Sequence, residues 1–449
     1  MSRLQITDNH DWKAIKDCIQ SSQQDFDLEI TKLDLEDIAN EKISDNVNDN
    51  PNLLIFPRDL HQHGDEIGES HIISMNDDKI STGNIMGFVG VNDTQLDIKS
   101  RFAQEDGEDY FLHYMLQKVF SINLFDIKHT KNKQQIFDFL LYLFPYYLKK
   151  ALAQGLFKKY RRFEHNDANI RGPINISSHI RENTPFKGTV AYITREHSYD
   201  NEVTQLVRHT IEFIRTKQTG VCILNNDLET KESVSQIVMA TQTYNVRERQ
   251  KVINQNLRPI RHPYYSEYTP LQKICLQILR HESLKYGQEK DKIYGILFDG
   301  AWLWEEYLNT LLKELKLVHP KNRINNVGKH FFTNPPRVLV QPDFYIDNRI
   351  VLDAKYKPHE TLFNAKQRED RFQILSYMHI FNASVSALIV PWPVEESGEI
   401  TGGGVMYLKG MIVEHKCDSF SDYIILMSHS ETALKTTIES LITNTNNTN

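Results

Sequence analysis

Short apolar runs separated by Gly, Asn and Asp fill residues 53 to about 102, as at 84–91 and 95–99, and predict a small β-rich unit. From Tyr110 to Phe163 the apolar spacing becomes helical, and residues 201–217 and 230–244 predict further helices. Pro259 and Pro263 mark a junction. Beyond it, 271–286 and 296–317 predict helices, 338–346 and 349–356 strands, and 365–381 a helix. Residues 385–390 and 404–413 predict two more strands. This alternation predicts an α/β core, a mixed sheet flanked by helices, preceded by an α+β region with a small β-rich unit and a helical part.

The same pattern divides the chain. Residues 1–50 are polar and form an acidic extension that closes on a linker, Asn46-Val47-Asn48-Asp49-Asn50-Pro51. An α+β region is expected over 51–262, the α/β domain over 263–442, and a disordered Thr/Asn tail over 443–449. The net charge of −7 conceals an asymmetry: residues 1–110 carry −15 and the remainder +8. A basic body suits a polyanion partner, although ordinary surface charge explains +8 over so long a stretch equally well. The four cysteines include no CxxC pair, which argues against a zinc site and a disulfide framework. Scattered thiols and the absence of a long apolar run point to the cytoplasm and away from a membrane.

Charge placed inside the apolar strands carries the chemistry. With a two-residue turn at Asp347-Asn348, residue 346 pairs with 349, and Asp343 lies diagonal to Asp353. Asp353 and Lys355 share a strand face. Two carboxylates and an ammonium then converge in otherwise apolar strands, where charge is costly unless it is paired. A hard divalent cation, Mg²⁺ with Mn²⁺ as a substitute, would satisfy the carboxylates. Against this stands a plain Asp–Lys ion pair, because the bare Asp…Asp-x-Lys spacing is common.

Neighbouring segments bear on the choice. Glu305 borders the apolar stripe of the expected 296–317 helix, while Glu306 points more to solvent. A carboxylate on the inward side could reach the same cation, or could be a marginal surface charge. Asp370, Gln373 and Tyr377 recur on one helix face, within reach of Lys355, a DNA backbone or solvent. Lys158, Lys159, Arg161 and Arg162, interleaved with aromatics, form a basic segment that could hold phosphate or serve as a solvated helix face.

Pro342-Asp343, Asp353-Ala354-Lys355 and Gln373-x3-Tyr377 together resemble the PD-(D/E)xK nuclease superfamily. Leu352-Asp353-Ala354-Lys355-Tyr356-Lys357 and Leu303-Trp304-Glu305-Glu306-Tyr307 resemble the McrC family, the nuclease subunit of the McrBC modified-cytosine restriction system. Segments 155–160, 170–175 and 200–206 are also similar to it, so the likeness runs from about 80 to 415. The resemblance implies a DNA endonuclease with Asp343, Asp353 and Lys355 as its centre and Gln373 and Tyr377 in support. It makes Asp343, Asp353 and Glu305 the Mg²⁺ ligands. It also implies a separate McrB-like AAA+ GTPase that recognises modified double-stranded DNA, with Lys99 and Arg101 reaching toward that motor. Two nuclease subunits would be needed for a double-strand break. The lack of a GxxxxGK[ST] phosphate loop fits a motorless subunit. A catalytically silent adaptor, or a nuclease serving another motor in defence or repair, are the competing readings.

Overall fold

The computed structural model describes residues 2–19, 28–43, 53–57, 70–92, 94–103, 109–120, 132–217, 220–225, 227–284, 293–320, 327–413, 416–417 and 419–446. The expected linker at 46–51 and the last three residues of the expected tail lie outside these. The chain is mixed α/β and divides into two compact units, residues 1–125 with 289–449, and residues 126–288. These units do not follow the boundaries expected at 50 and 262.

The reason lies in one strand. Residues 296–299, expected to begin a helix, belong instead to the strand Tyr294–Asp299. It pairs antiparallel with Ile85–Val91 and parallel with Leu53–Phe56. Its neighbours in sequence are helix-compatible, but Tyr-Gly-Ile-Leu-Phe is also a strand-forming run, and sheet partners far away in sequence decide between the two. The complete sheet runs Ser2–Thr7, Thr94–Lys99, Ile85–Val91, Tyr294–Asp299, Leu53–Phe56. The first residues are therefore no detached extension: Ser2–Thr7 pairs parallel with Thr94–Lys99. The helix Leu28–Asn40 buries Leu35 and Ile38 in the same core as Leu4, Ile6, Val89, Leu96 and Leu297.

A second sheet of the same unit runs Phe344–Ile346, Ile350–Ala354, Val385–Val390, Val405–Gly410, Glu395–Glu399. Its central three strands are parallel and its two edges antiparallel. The buried Leu388, Ile389 and Val390 suit a strand covered on both faces. The helix Arg368–Phe381 makes the crossover and packs Ile374, Met378 and Phe381 against Val351, Leu388 and Val390. The helix Gly300–Leu312 follows the Tyr294–Asp299 strand directly, with Asp299 accepting a hydrogen bond from the Ala301 amide at its start. It lies against Ile350–Ala354 and against the helix Tyr110–Phe120. The helix Phe420–Asn446 reaches into the segment expected to be a disordered tail. Its buried Glu431 accepts hydrogen bonds from the hydroxyls of Tyr114 (2.8 Å) and Tyr307 (2.7 Å), which satisfies a carboxylate that burial would otherwise penalise.

The unit 126–288 is mainly helical, with helices Asn132–Ala153, Glu202–Arg215, Leu228–Ala240, Arg249–Gln255 and Tyr268–Leu284. Asn201 caps the Glu202–Arg215 helix, and Thr204 completes the capping box. One long hairpin, Lys159–Asp167 with Val190–Ser198, carries the short helix Ile176–Asn183 against it. From Lys159 on, the basic segment expected at the end of a helix is thus a β-strand, with Lys158 just before it.

Candidate active site

The expected strand 338–346 is two strands. Pro336–Val340 pairs with Lys329–Thr333, while Phe344–Ile346 pairs with Ile350–Ala354. Pro342, which has no amide proton to give a ladder, falls at the break. The turn is also longer than expected. Ile346 pairs with Ile350, leaving three residues, 347–349, with Asn348 in the left-handed region at φ 61°. Phe344 consequently faces Leu352, and the next step along the hairpin brings Asp343 level with Asp353 instead of diagonal to it. An Oδ2 atom of Asp343 accepts the Ala354 amide at 2.6 Å, which fixes the carboxylate across the end of the hairpin.

Alternation places Asp353 and Lys355 on one face, and Lys355 Nζ stands 2.8 Å from Asp353 Oδ2. The helix Arg368–Phe381 covers this face. Lys355 Nζ donates to Gln373 Oε1 at 2.9 Å, and Gln373 Nε2 donates to the Tyr377 hydroxyl at 2.8 Å. Asp370 shares that helix face but pairs with Lys357 Nζ at 2.7 Å rather than with Lys355. Glu305 enters from the helix Gly300–Leu312 with its side chain 16 % exposed. Glu306, expected to face solvent, is nearly as covered at 21 %.

The electrostatics reflect crowding of like charge. Burial pushes the Asp343 carboxyl up to about 7, and the charge of Asp353 adds to this against the opposing pull of Lys355. Burial, followed by Asp343, Glu306, Asp353 and Asp299, holds Glu305 well above the usual carboxylate range. For Lys355, burial alone would favour the neutral amine, but Asp353 and Asp343 outweigh it and keep the ammonium. Burial and the nearby Asp353 charge push the Tyr377 hydroxyl up to about 12.

Such an oxygen-only, acidic donor set suits a hard divalent cation, which would relieve the repulsion among Glu305, Asp343 and Asp353. Among the described residues, no three His, Cys, Asp or Glu side chains close around one point at ligand distance. The residues present therefore fit a cation held by one or two carboxylates with the remainder of its shell from water and substrate, the usual manner of Mg²⁺.

The sequence reading missed His319. Its Nδ1 lies 2.8 Å from the Asp343 carbonyl oxygen and 3.7 Å from Glu305 Oε1, and its Nε2 lies 4.0 Å from Glu306 Oε1. The ring stacks on Phe344 with centroids 4.9 Å apart. Burial works against its charge, but Glu306 and the Asp343 carbonyl raise its pKa overall. A single histidine after Leu317-Val318 has no spacing that would have drawn attention to it.

Other expected contacts fall elsewhere. Lys158 lies over the Tyr199 ring, Lys159 is ion-paired with Glu202, and Arg161 donates to the Asp200 carbonyl. Arg162 points to the other side of the hairpin, 57 % exposed, 3.6 Å from Glu164, and its residue pairs across the ladder with Arg195. The four cations thus form no single stripe. Arg101 does not project from its sheet: its guanidinium binds Asp8 through Nε at 3.0 Å and Asn84 at 2.5 Å, and only 13 % of the side chain is exposed. Lys99, at the end of the Thr94–Lys99 strand, is half-buried.

Among the described residues no helix is long and apolar enough to cross a membrane. No curated relative matches the chain in sequence. Among the solved structures that align with it are two from Thermococcus gammatolerans, each at 15% identity. One is a half-complex from a tetradecameric assembly of McrB AAA+ hexamers with bound McrC, aligned over 95% of this chain and 99% of that chain with a TM-score of 0.40. The other is a McrBC complex, aligned over 73% and 89% with a TM-score of 0.29. The model of the McrBC 5-methylcytosine restriction system component family matches residues 80–391. The chain belongs to that family.

Proposed function

We propose that this chain is a McrC-like subunit that hydrolyses DNA phosphodiester bonds with Mg²⁺, in partnership with a McrB-like AAA+ GTPase. The observation that carries this reading is the meeting of Asp343, Asp353 and Lys355 at the end of one hairpin, under the Gln373–Tyr377 pair. That arrangement favours a PD-(D/E)xK nuclease over a structural ion pair, because a lone Asp–Lys bridge has no need of a second carboxylate raised to about 7 beside it.

In this reading Asp343 and Asp353 would hold the cation directly and Glu305 would reach it through its water shell, and the cation when bound would supply electrophilic stabilisation of the charge on the scissile phosphate. Lys355 keeps its ammonium and orients the attacking water or neutralises a phosphate oxygen. Gln373 holds Lys355 by accepting from Nζ, and Tyr377 holds Gln373 in turn, so the ammonium keeps its aim without losing its remaining protons as donors. Arg162, with Arg195 opposite it, is the part of the expected basic segment best placed to meet duplex DNA, since like charges facing each other across a ladder are stabilised by a bound anion. Two nuclease sites, one per strand, would accompany a double-strand break.

The test is cleavage of methylated duplex DNA by the chain assembled with its GTPase, with Mg²⁺ or with EDTA. Cleavage that requires Mg²⁺ and disappears in Asp353→Ala, with the variant still folded and still stimulating the GTPase, supports the reading. A variant that stimulates and cuts as before overturns it. A wild-type chain that stimulates the motor but never cuts would be the silent adaptor instead.

A further inference from the structure

We infer that His319 is a positioning residue of the carboxylate site, holding the Asp343 backbone through Nδ1–H and spacing Asp343 from Glu305 with its ring. The inference rests on the nuclease reading above and adds to it a residue that neither the motif nor the expected metal ligands include.

Val318 and Tyr345 form a mutual pair, with the Val318 amide donating to the Tyr345 carbonyl at 2.8 Å and the Tyr345 amide to the Val318 carbonyl at 3.0 Å. In an antiparallel ladder the next such pair would be residue 320 with residue 343. Residue 320 is a proline and has no amide proton to offer the Asp343 carbonyl. The His319 imidazole supplies the missing donor, with Nδ1 at 2.8 Å from that oxygen. This bond also settles the tautomer, because a carbonyl can only accept and Nδ1 must carry the proton.

The rest of the ring is set by its surroundings. Stacking on Phe344 fixes its plane, and its side chain is 7 % exposed. It then stands between the loop that bears Asp343 and the helix that bears Glu305 and Glu306, at 3.7 and 4.0 Å from their carboxylates. These separations are too long for hydrogen bonds but within ion-pair reach, so the ring acts toward the glutamates as a spacer and, when protonated, as an opposite charge. Groups that orient metal-binding side chains typically affect metal affinity by roughly 10–100-fold when removed.

The experiment compares His319→Leu, His319→Asn and His319→Gln in the full-length chain. Mg²⁺ binding is measured by calorimetry on the chain alone, and kcat and KM for DNA cleavage on the assembly. His319→Leu should weaken Mg²⁺ binding by roughly 10-fold or more and lower kcat, with KM for DNA little changed. Asn places its amide where Nδ1 donates, so His319→Asn should recover much of both. Gln extends its amide toward the Nε2 position and should recover less. A Leu variant that binds Mg²⁺ and turns over like wild type overturns the inference. Should the Leu variant fail to fold, equal behaviour of Asn and Gln would overturn it. If the wild-type chain binds Mg²⁺ but does not cleave, the nuclease reading fails while the metal-binding arm still decides the role of His319.

Discussion

Gly300 lies so close to the Tyr356 ring that a Cβ on it would stand 2.6 Å from Cε1. The ring has no room to retreat: its hydroxyl lies 2.9 Å from Ser100 Oγ and 3.0 Å from Met86 Sδ, and Phe102 meets it edge-on. Gly300 begins the helix that carries Glu305, and Tyr356 follows Lys355, so this contact sets how closely the two approach. Gly300→Ala should destabilise the chain by about 1–3 kcal/mol through overpacking, which outweighs the better helix propensity of alanine. Thermal unfolding checks this. An unchanged Tm would mean that the ring yields freely.

Lys355→Met removes the ammonium while keeping most of the side-chain volume. Asp353, buried and 2.8 Å from Nζ, then loses its ion pair. Cleavage should fall by roughly 10²-fold or more, the usual scale for losing one aligned electrostatic group in a site. Gln373→Ala should have a smaller effect, because it leaves the ammonium in place and only frees its direction. Single-turnover rates on the same DNA would rank the two, and a Gln373 effect as large as that of Lys355 would contradict the assigned roles.

Burial pushes the Asp109 carboxyl up to about 7, although it accepts the Ser100 amide at 2.5 Å and the Leu112 amide at 3.0 Å. The fold therefore favours its protonated form relative to an unfolded chain with an ordinary carboxyl near 3.8. Its contribution is complete below about pH 4 and is lost as the pH rises through about 7, on the order of 4 kcal/mol over that span. Asp109→Asn keeps an oxygen for the helix start and does not titrate. Urea unfolding from pH 5 to 8 should show the variant gaining on the wild type as the pH rises. A constant difference would contradict the assignment.

Arg101→Met leaves Asp8, whose side chain is fully covered, without its ion pair. The expected loss is about 3–5 kcal/mol, and replacing both residues with apolar ones should recover most of it. Stability measured on the single and double variants decides this. If Arg101→Met were as stable as wild type but failed to stimulate a motor, the arginine would be a partner contact after all.

The local pattern made several elements legible. Val385–Val390 was readable because a six-residue run, apolar except for Ser386 and rich in β-branched residues, leaves little alternative. The Arg368–Phe381 helix, and with it the shared face of Gln373 and Tyr377, followed from periodicity alone. So did the common face of Asp353 and Lys355, since alternation along a strand needs no knowledge of its neighbours. The chemistry of the candidate site was visible for the same reason: charged residues within apolar strands stand out whatever the register.

Tertiary pairing decided the rest. The one-residue change in hairpin register moved Asp343 from diagonal to level with Asp353, because the turn took in Arg349. Tyr294–Asp299 became a strand because partners more than two hundred residues away completed a sheet, and that choice joined the first residues of the chain to the unit that holds the site. Arg101 was spent on Asp8, and His319 took the place of an amide that Pro320 lacks. Periodicity is set by neighbours in sequence and can be read from them. Register, burial of charge and the partners of single side chains are set by contacts distant along the chain, and these exist only once the strands and helices have packed.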